Sequence, residues 1–308
     1  MLFSAAEGHL EAGDTAECRS VAEAALKKFQ ALGAAGKEGV ADCVHVTVDA
    51  HRLDAYRDYA DPEDALTLAN EYMEEFKTEG DRVGEATMKL ALAEIATDNA
   101  RLEKRQQALE LAMDALAIAK DLGDRRLQAK CWVEATFAYF SLGDSDKMAE
   151  AAESASAIYD DLGDTMGRAT AAYATGLSRV RKHDWDGAAE AASLSQQLFA
   201  RLGRPSLEAG VSHTSAVWRL LQGQPKKAVP LAERALELTV QEGRSAWQMA
   251  VTSMTLCEAL AEAGNAKAAL KAAHESLRRL EVGGGTREQA MAHEALALAH
   301  LAAEAPTK

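Results

Sequence analysis

The chain has 308 residues, of which 48% are hydrophobic but only 5% aromatic, and carries a formal net charge of −14. Such a charge opposes nonspecific association with phosphate backbones and anionic membranes. No stretch is long and apolar enough to span a bilayer, and the segment from Met1 to Gly8 lacks the basic n-region and continuous apolar core of a signal peptide. Cys18, Cys43, Cys131 and Cys257 lie far apart with no metal-like spacing. They are expected to be buried free thiols, which points to the cytoplasm or another reducing soluble compartment, an organelle included.

Along the chain, Gly33, Gly80, Gly123, Gly163, Gly203, Gly243 and Gly284 recur at intervals of 47, 43, 40, 40, 40 and 41 residues. A period near 40 with one helix pair per unit describes repeats that cannot bury their apolar faces alone and must stack on their neighbours. Gly33, Gly123, Gly163 and Gly203 each follow a leucine, as expected where a helix ends in a left-handed residue. Second helices are predicted near 14–31, 62–78, 104–121, 145–161, 185–201, 225–241 and 266–281. First helices fill the intervals, and 286–304 forms a last unpaired helix, giving about fifteen in all. Asp14 with Glu17 and Thr286 with Gln289 have capping-box spacing, and Pro62, Pro205 and Pro225 suit first helical positions.

The first helix after Gly33 must span about seven extra residues on this reading, and its run Val44-His45-Val46-Thr47-Val48 is unusually β-branched. Burial inside the stack is expected there. Only about eleven residues precede Gly13, which suggests a chain cut from a longer array. No linker or internal boundary is apparent. The expected organisation is one solenoid with helix pairs 1–33, 34–80, 81–123, 124–163, 164–203, 204–243 and 244–284, followed by 286–304. Net charge runs from −12 in residues 1–100 through −4 in 101–200 to +2 in 201–308, so the acidic N-terminal third is a second candidate docking face.

The unit from Ala129 to Asp164 resembles a tetratricopeptide repeat. Trp132, Thr136 and Tyr139 stand where that family's first helix carries aromatic, small and aromatic residues, and Gly143 matches its turn glycine. The next unit supplies Gly176 at the small position and His183-Asp-Trp-Asp-Gly-Ala188 at the turn. Ala228 and Ala235, and likewise Ala108 and Ala115, match the second-helix alanines. The longer period and the missing late proline resemble the kinesin light chain and LGN-class variants. The resemblance implies an all-α fold, a right-handed α-solenoid of stacked antiparallel helix pairs. It identifies architecture rather than function.

No phosphate-binding loop, nucleophile elbow or metal-binding His-Glu-x-x-His helix occurs, so no catalytic residue, cofactor or metal is assigned. His293 and His300 stand roughly 10 Å apart along one helix and read as separate side chains. Asp144, Asp146, Asp160 and Asp161 fall at turns or helix ends, where they cap or face water. Arg179, Arg181, Lys182 and Arg219 are a modest basic group in an acidic chain, too little to favour nucleic acid.

At one repeat interval, Val133, Phe137 and Phe140 correspond to Tyr173, Leu177 and Val180, then to His213, Val217 and Leu220. Packing between adjacent first helices is the stronger reading of this stripe. In a superhelix of the resembled type, however, these positions line a concave groove. Phe137, Tyr173, Leu177, Arg181, His213 and Val217 are therefore the candidate contacts for an amphipathic partner segment carrying a carboxylate. The expected function is a non-enzymatic scaffold for a protein or peptide, without membrane insertion. Alternatives are a regulatory or sensor module of a larger protein, or a structural subunit of a large assembly.

Overall fold

The computed structural model describes residues 1–58, 60–98, 101–241 and 246–304. These hold fifteen α-helices and no strand. The helices are α1 (Leu2–Ala12), α2 (Thr15–Gln30), α3 (Lys37–Asp58), α4 (Glu63–Glu79), α5 (Arg82–Thr97), α6 (Leu102–Leu122), α7 (Arg125–Leu142), α8 (Ser145–Leu162) and α9 (Thr165–Arg181) in a first compact unit, Met1–Asp184. A second unit, Trp185–Lys308, holds α10 (Trp185–Arg201), α11 (Pro205–Leu221), α12 (Pro225–Gln241), α13 (Ala246–Glu262), α14 (Ala266–Gly283) and α15 (Thr286–Glu304). Within each unit consecutive helices pack as antiparallel pairs. First helices also touch the first helix of the next pair, as α3 does α5, α5 does α7, and α11 does α13. This is the tetratricopeptide-like α-solenoid architecture.

The turns follow from two residues acting in sequence. Gly13, Gly80, Gly123, Gly143 and Gly163 adopt left-handed φ between 63 and 82°, and the next residue is an aspartate whose carboxylate accepts the backbone N–H three positions on. One residue thus closes a helix and its neighbour opens the next, each such cap stabilising by about 0.5–2 kcal/mol. His183 takes φ 58° at the turn where Gly143 and Gly223 stand in other repeats.

Three local expectations are corrected. Gly284 is extended (φ −98°, ψ 151°) instead of left-handed. The side chain of Gln289 donates to the Leu280 and Gly284 carbonyls, so a left-handed residue is not required to satisfy them. Thr286 is accordingly the first residue of α15 and not its cap. Pro62 caps α4 from just outside the helix, which begins at Glu63. Gly243 lies outside the described residues.

The core is built from alanine. Ala108, Ala115, Ala228 and Ala235 are fully buried, as are many others, so helices approach closely without large side chains between them. The β-branched run of α3 is buried as expected, with Val44, Val46 and Val48 at most 5% exposed, because α3 packs on α1, α2, α4 and α5 together. All four cysteines are buried and free, and burial pushes the Cys18 thiol up to about 11.

One packing position varies between repeats. The third residue of α5 is Gly84, and a Cβ there would stand 2.5 Å from the ring of Phe76 on α4. At the same place in α9, a Cβ on Gly167 would stand 2.0 Å from the ring of Tyr159 on α8. In α7 the position is filled by Leu127, and the matching residue on α6 is Ala119; both are buried in one cluster. Large against glycine in two repeats becomes alanine against leucine in the repeat between them.

Candidate partner-binding site

The first helices of the first unit present polar residues at helical spacing where an inner face would be apolar in a simple bundle. His45, Asp49 and Arg52 share one side of α3, Glu94 lies on α5 with Asp98 one turn on at its C-cap, and Lys130 and Glu134 share one side of α7. These three sides converge. His45 Nε2 lies 2.9 Å from Glu94 Oε2 and 3.8 Å from Asp49 Oδ2. Arg52 holds Asp49 Oδ1 at 3.0 Å and Asp98 at 2.9 Å, Lys130 pairs with Asp42 at 3.7 Å, and Thr97 donates to Glu134.

Partial burial sharpens this chemistry. Desolvation alone would lower the His45 pKa, but Glu94 and Asp49 outweigh it and hold the imidazolium up to about 9. Burial acts to raise Glu94, yet the charge and hydrogen bond of His45 bring it to about 2. Glu134, only 6% exposed, is pushed up to about 8 by burial and then by the charge of Glu94. Asp49 is likewise raised by burial and by Glu94.

Beside this seam a cleft of about 730 Å³ is lined by Arg52, Glu94, Asp98, Arg105, Glu134, Phe137, Phe140 and Arg181. The Arg181 guanidinium stands 5.3 Å from the Phe140 ring centroid, and Phe140 is 38% exposed. Phe137 meets Tyr173 with ring centroids 6.5 Å apart. Among the expected contacts, Phe137 and Arg181 therefore line the cleft, Tyr173 backs Phe137, and Leu177 is half-buried on the same helix as Tyr173. The expected basic group is partly neutralised, Arg179 standing 3.9 Å from Asp184 and Lys182 3.1 Å from Asp146. A larger cleft of about 1040 Å³ lies among α3, α4, α5 and α6, with Leu66, Leu92, Ile95 and Leu111 in its walls.

His213 and Val217 belong to α11 in the second unit. His213 Nε2 lies 3.0 Å from Thr255 Oγ1 of α13, joining two first helices, and burial lowers its pKa, favouring the neutral imidazole. Val217 is half-buried, and Arg219 donates to Gln222. His293 and His300 are exposed on α15, where His300 meets the His274 ring edge-on at 6.3 Å.

Sequence reading missed the charged seam because it searched for short motifs and for an apolar stripe. The available signal was the run of titratable residues one helical turn apart on three successive first helices.

Repeating antiparallel helix pairs with glycine-aspartate turns and alanine cores define a tetratricopeptide-like solenoid fold. Solved structures of that kind align along nearly the whole chain. The signal transduction ATPase with a tetratricopeptide repeat sensor from Pyrococcus horikoshii matches at TM-score 0.63 and 15% identity, over 98% of this chain and 47% of that one. A Rap protein in complex with competence and sporulation factor matches at TM-score 0.60 and 11% identity, over 98% of both chains. The apo form of RapI matches at TM-score 0.58 and 12% identity, over 94% of this chain and 79% of that one. No family model and no curated protein sequence matches. No helix among the described residues is long and apolar enough to cross a membrane.

Proposed function

We propose that the protein is a non-enzymatic binding module and that the first-helix face of its first unit receives a polypeptide segment. The observation that carries this reading is the cleft in which exposed Phe140, stacked by Arg181, stands beside Phe137, the carboxylate of Glu94 and the carboxyl group of Glu134. Exposed aromatic surface next to guanidinium and carboxylate groups suits an amphipathic segment, with an apolar side chain over the phenylalanines and a carboxylate near Arg181. The complex of a Rap protein with competence and sporulation factor supports ligand binding by this type of fold.

A sensor role inside a larger protein is the second reading. It is favoured by the alignment of this chain with less than half of an ATPase described as having a tetratricopeptide repeat sensor.

Quantitative affinity capture from the native source, comparing wild type with Phe140→Ala/Arg181→Glu, tests the first reading. A defined partner set should fall at least about tenfold with the double variant while far-UV circular dichroism is unchanged, since anchor residues carry most of an interface's energy. Equal recovery by both folded proteins would remove the cleft from consideration. The variants Tyr173→Ala and His213→Ala separate the two units: loss with the first alone keeps binding in the first unit.

A further inference from the structure

We propose that His45, Asp49 and Glu94 form a binding site for a divalent first-row transition metal, joining α3 to α5. His45 and Asp49 are four residues apart on one helix and therefore point to the same side, while Glu94 reaches them from the neighbouring first helix. The three donor atoms, His45 Nε2, Asp49 Oδ2 and Glu94 Oε2, all lie within 4.8 Å of one another.

Two of the three donor separations suit a metal with little movement. Bonds of about 2.0–2.2 Å in tetrahedral geometry place ligand atoms about 3.4 Å apart. The present separations of 2.9 Å from His45 to Glu94 and 3.8 Å from His45 to Asp49 bracket that value. One would open and the other close by about half an ångström. Side-chain exposures of 14, 21 and 19% leave the donors sheltered but reachable. One nitrogen and two carboxylate oxygens match zinc and its neighbours better than calcium or magnesium, which prefer oxygen alone.

The surroundings already do what a second layer of ligands does. Arg52 holds Asp49 Oδ1 from both Nε and Nη2, while Oδ2 faces the histidine at 3.8 Å. Such outer contacts fix ligand orientation. Arg52 is itself paired with Asp98, and Lys130 with Asp42, so neither cation stands uncompensated beside the site. Once a metal replaces the His45 proton, the four carboxylates of Asp42, Asp49, Glu94 and Asp98 stand against those two fixed cations. That excess favours a dication. Because Glu94 also lines the neighbouring cleft, an ion here would fix one wall of the face described above.

Zinc titration of the chelator-stripped full chain, by calorimetry and by competition with a chromogenic chelator, tests the site. The exposed pair His274 and His300 could hold zinc adventitiously, so the reference protein carries His274→Ala and His300→Ala. It should retain one saturable equivalent per chain. His45→Gln, Asp49→Asn and Glu94→Gln should each weaken that affinity at least tenfold. Cobalt should produce visible absorption bands saturating at one equivalent. Loss of all saturable binding in the reference protein overturns the proposal without any change to the site itself. Unchanged affinity in folded His45→Gln overturns it equally.

Discussion

The varying contact between Tyr159 and Gly167 allows a swap experiment whose outcome is set mainly by volume. Tyr159 is 5% exposed, and its truncation to alanine should cost about 3–5 kcal/mol, as large aromatic deletions in packed cores do. Gly167→Leu gains about 0.8–1 kcal/mol of helix propensity. That gain is outweighed, because the new Cβ would begin 2.0 Å from Cδ1 of the tyrosine ring, and forcing an over-packed core open costs about 1–3 kcal/mol or more.

The double variant Tyr159→Ala/Gly167→Leu reproduces the Ala119/Leu127 combination that the preceding repeat uses. It should lose at least about 2 kcal/mol less than the two single changes added together, near the upper range for residues in contact. Urea unfolding followed by circular dichroism and by tryptophan fluorescence, with Trp132 packed on the same cluster as Tyr159, measures all four corners of the cycle. Additive losses would show that the two repeats do not place these residues equivalently, and the packing argument would fail.

Two further outcomes follow from backbone and charge. Gly163→Val and Gly203→Val should each destabilise by roughly 1–2 kcal/mol through strain alone, since no atom lies within 4 Å of a Cβ at either site; an unchanged urea midpoint would contradict the left-handed turns. Raising pH should weaken the fold in chelator-containing buffer. His45, raised to about 9 by its carboxylates against the pull of burial, stabilises fully below its ordinary value near 6.5, and that contribution is lost as pH climbs through 9. Glu134, held protonated by burial up to about 8, adds the same sign, because the unfolded chain gives up that proton at lower pH. His45→Gln should flatten the decline of thermal midpoint between pH 6.5 and 9, and an equal slope in both proteins would refute the assignment.

The helices were readable because their signals are local. A glycine after a leucine, an aspartate after that glycine, and alanines at the second-helix positions fix boundaries independently of what packs where. Gly284 misled because its regular spacing said nothing of Gln289, whose amide reaches back to the helix end. Phe137 and Tyr173 were visible as members of apolar series at one repeat interval, and Arg181 as part of a basic group on the same helix as Tyr173. Their meeting with Glu94, Glu134 and Arg52 was not, because it depends on how α3, α5 and α7 lie side by side. The pair His45 and Asp49 did show the four-residue spacing of helix ligands, but the completing Glu94 lies on another helix.

The alternation of Tyr159 against Gly167 and Ala119 against Leu127 bears on how a nearly periodic chain finds its correct order. Adjacent units of equal length offer an off-by-one assembly in which a second helix docks on the wrong first helix. Such a slip would drive Tyr159 against Leu127, with two large side chains in one space, or leave Ala119 facing Gly167 across a void. Either error is costly in a close-packed interior. Tyr159, Ala119 and Leu127, with the missing side chain at Gly167, thus tell these two neighbouring units apart, and a version with both made identical would surrender that discrimination.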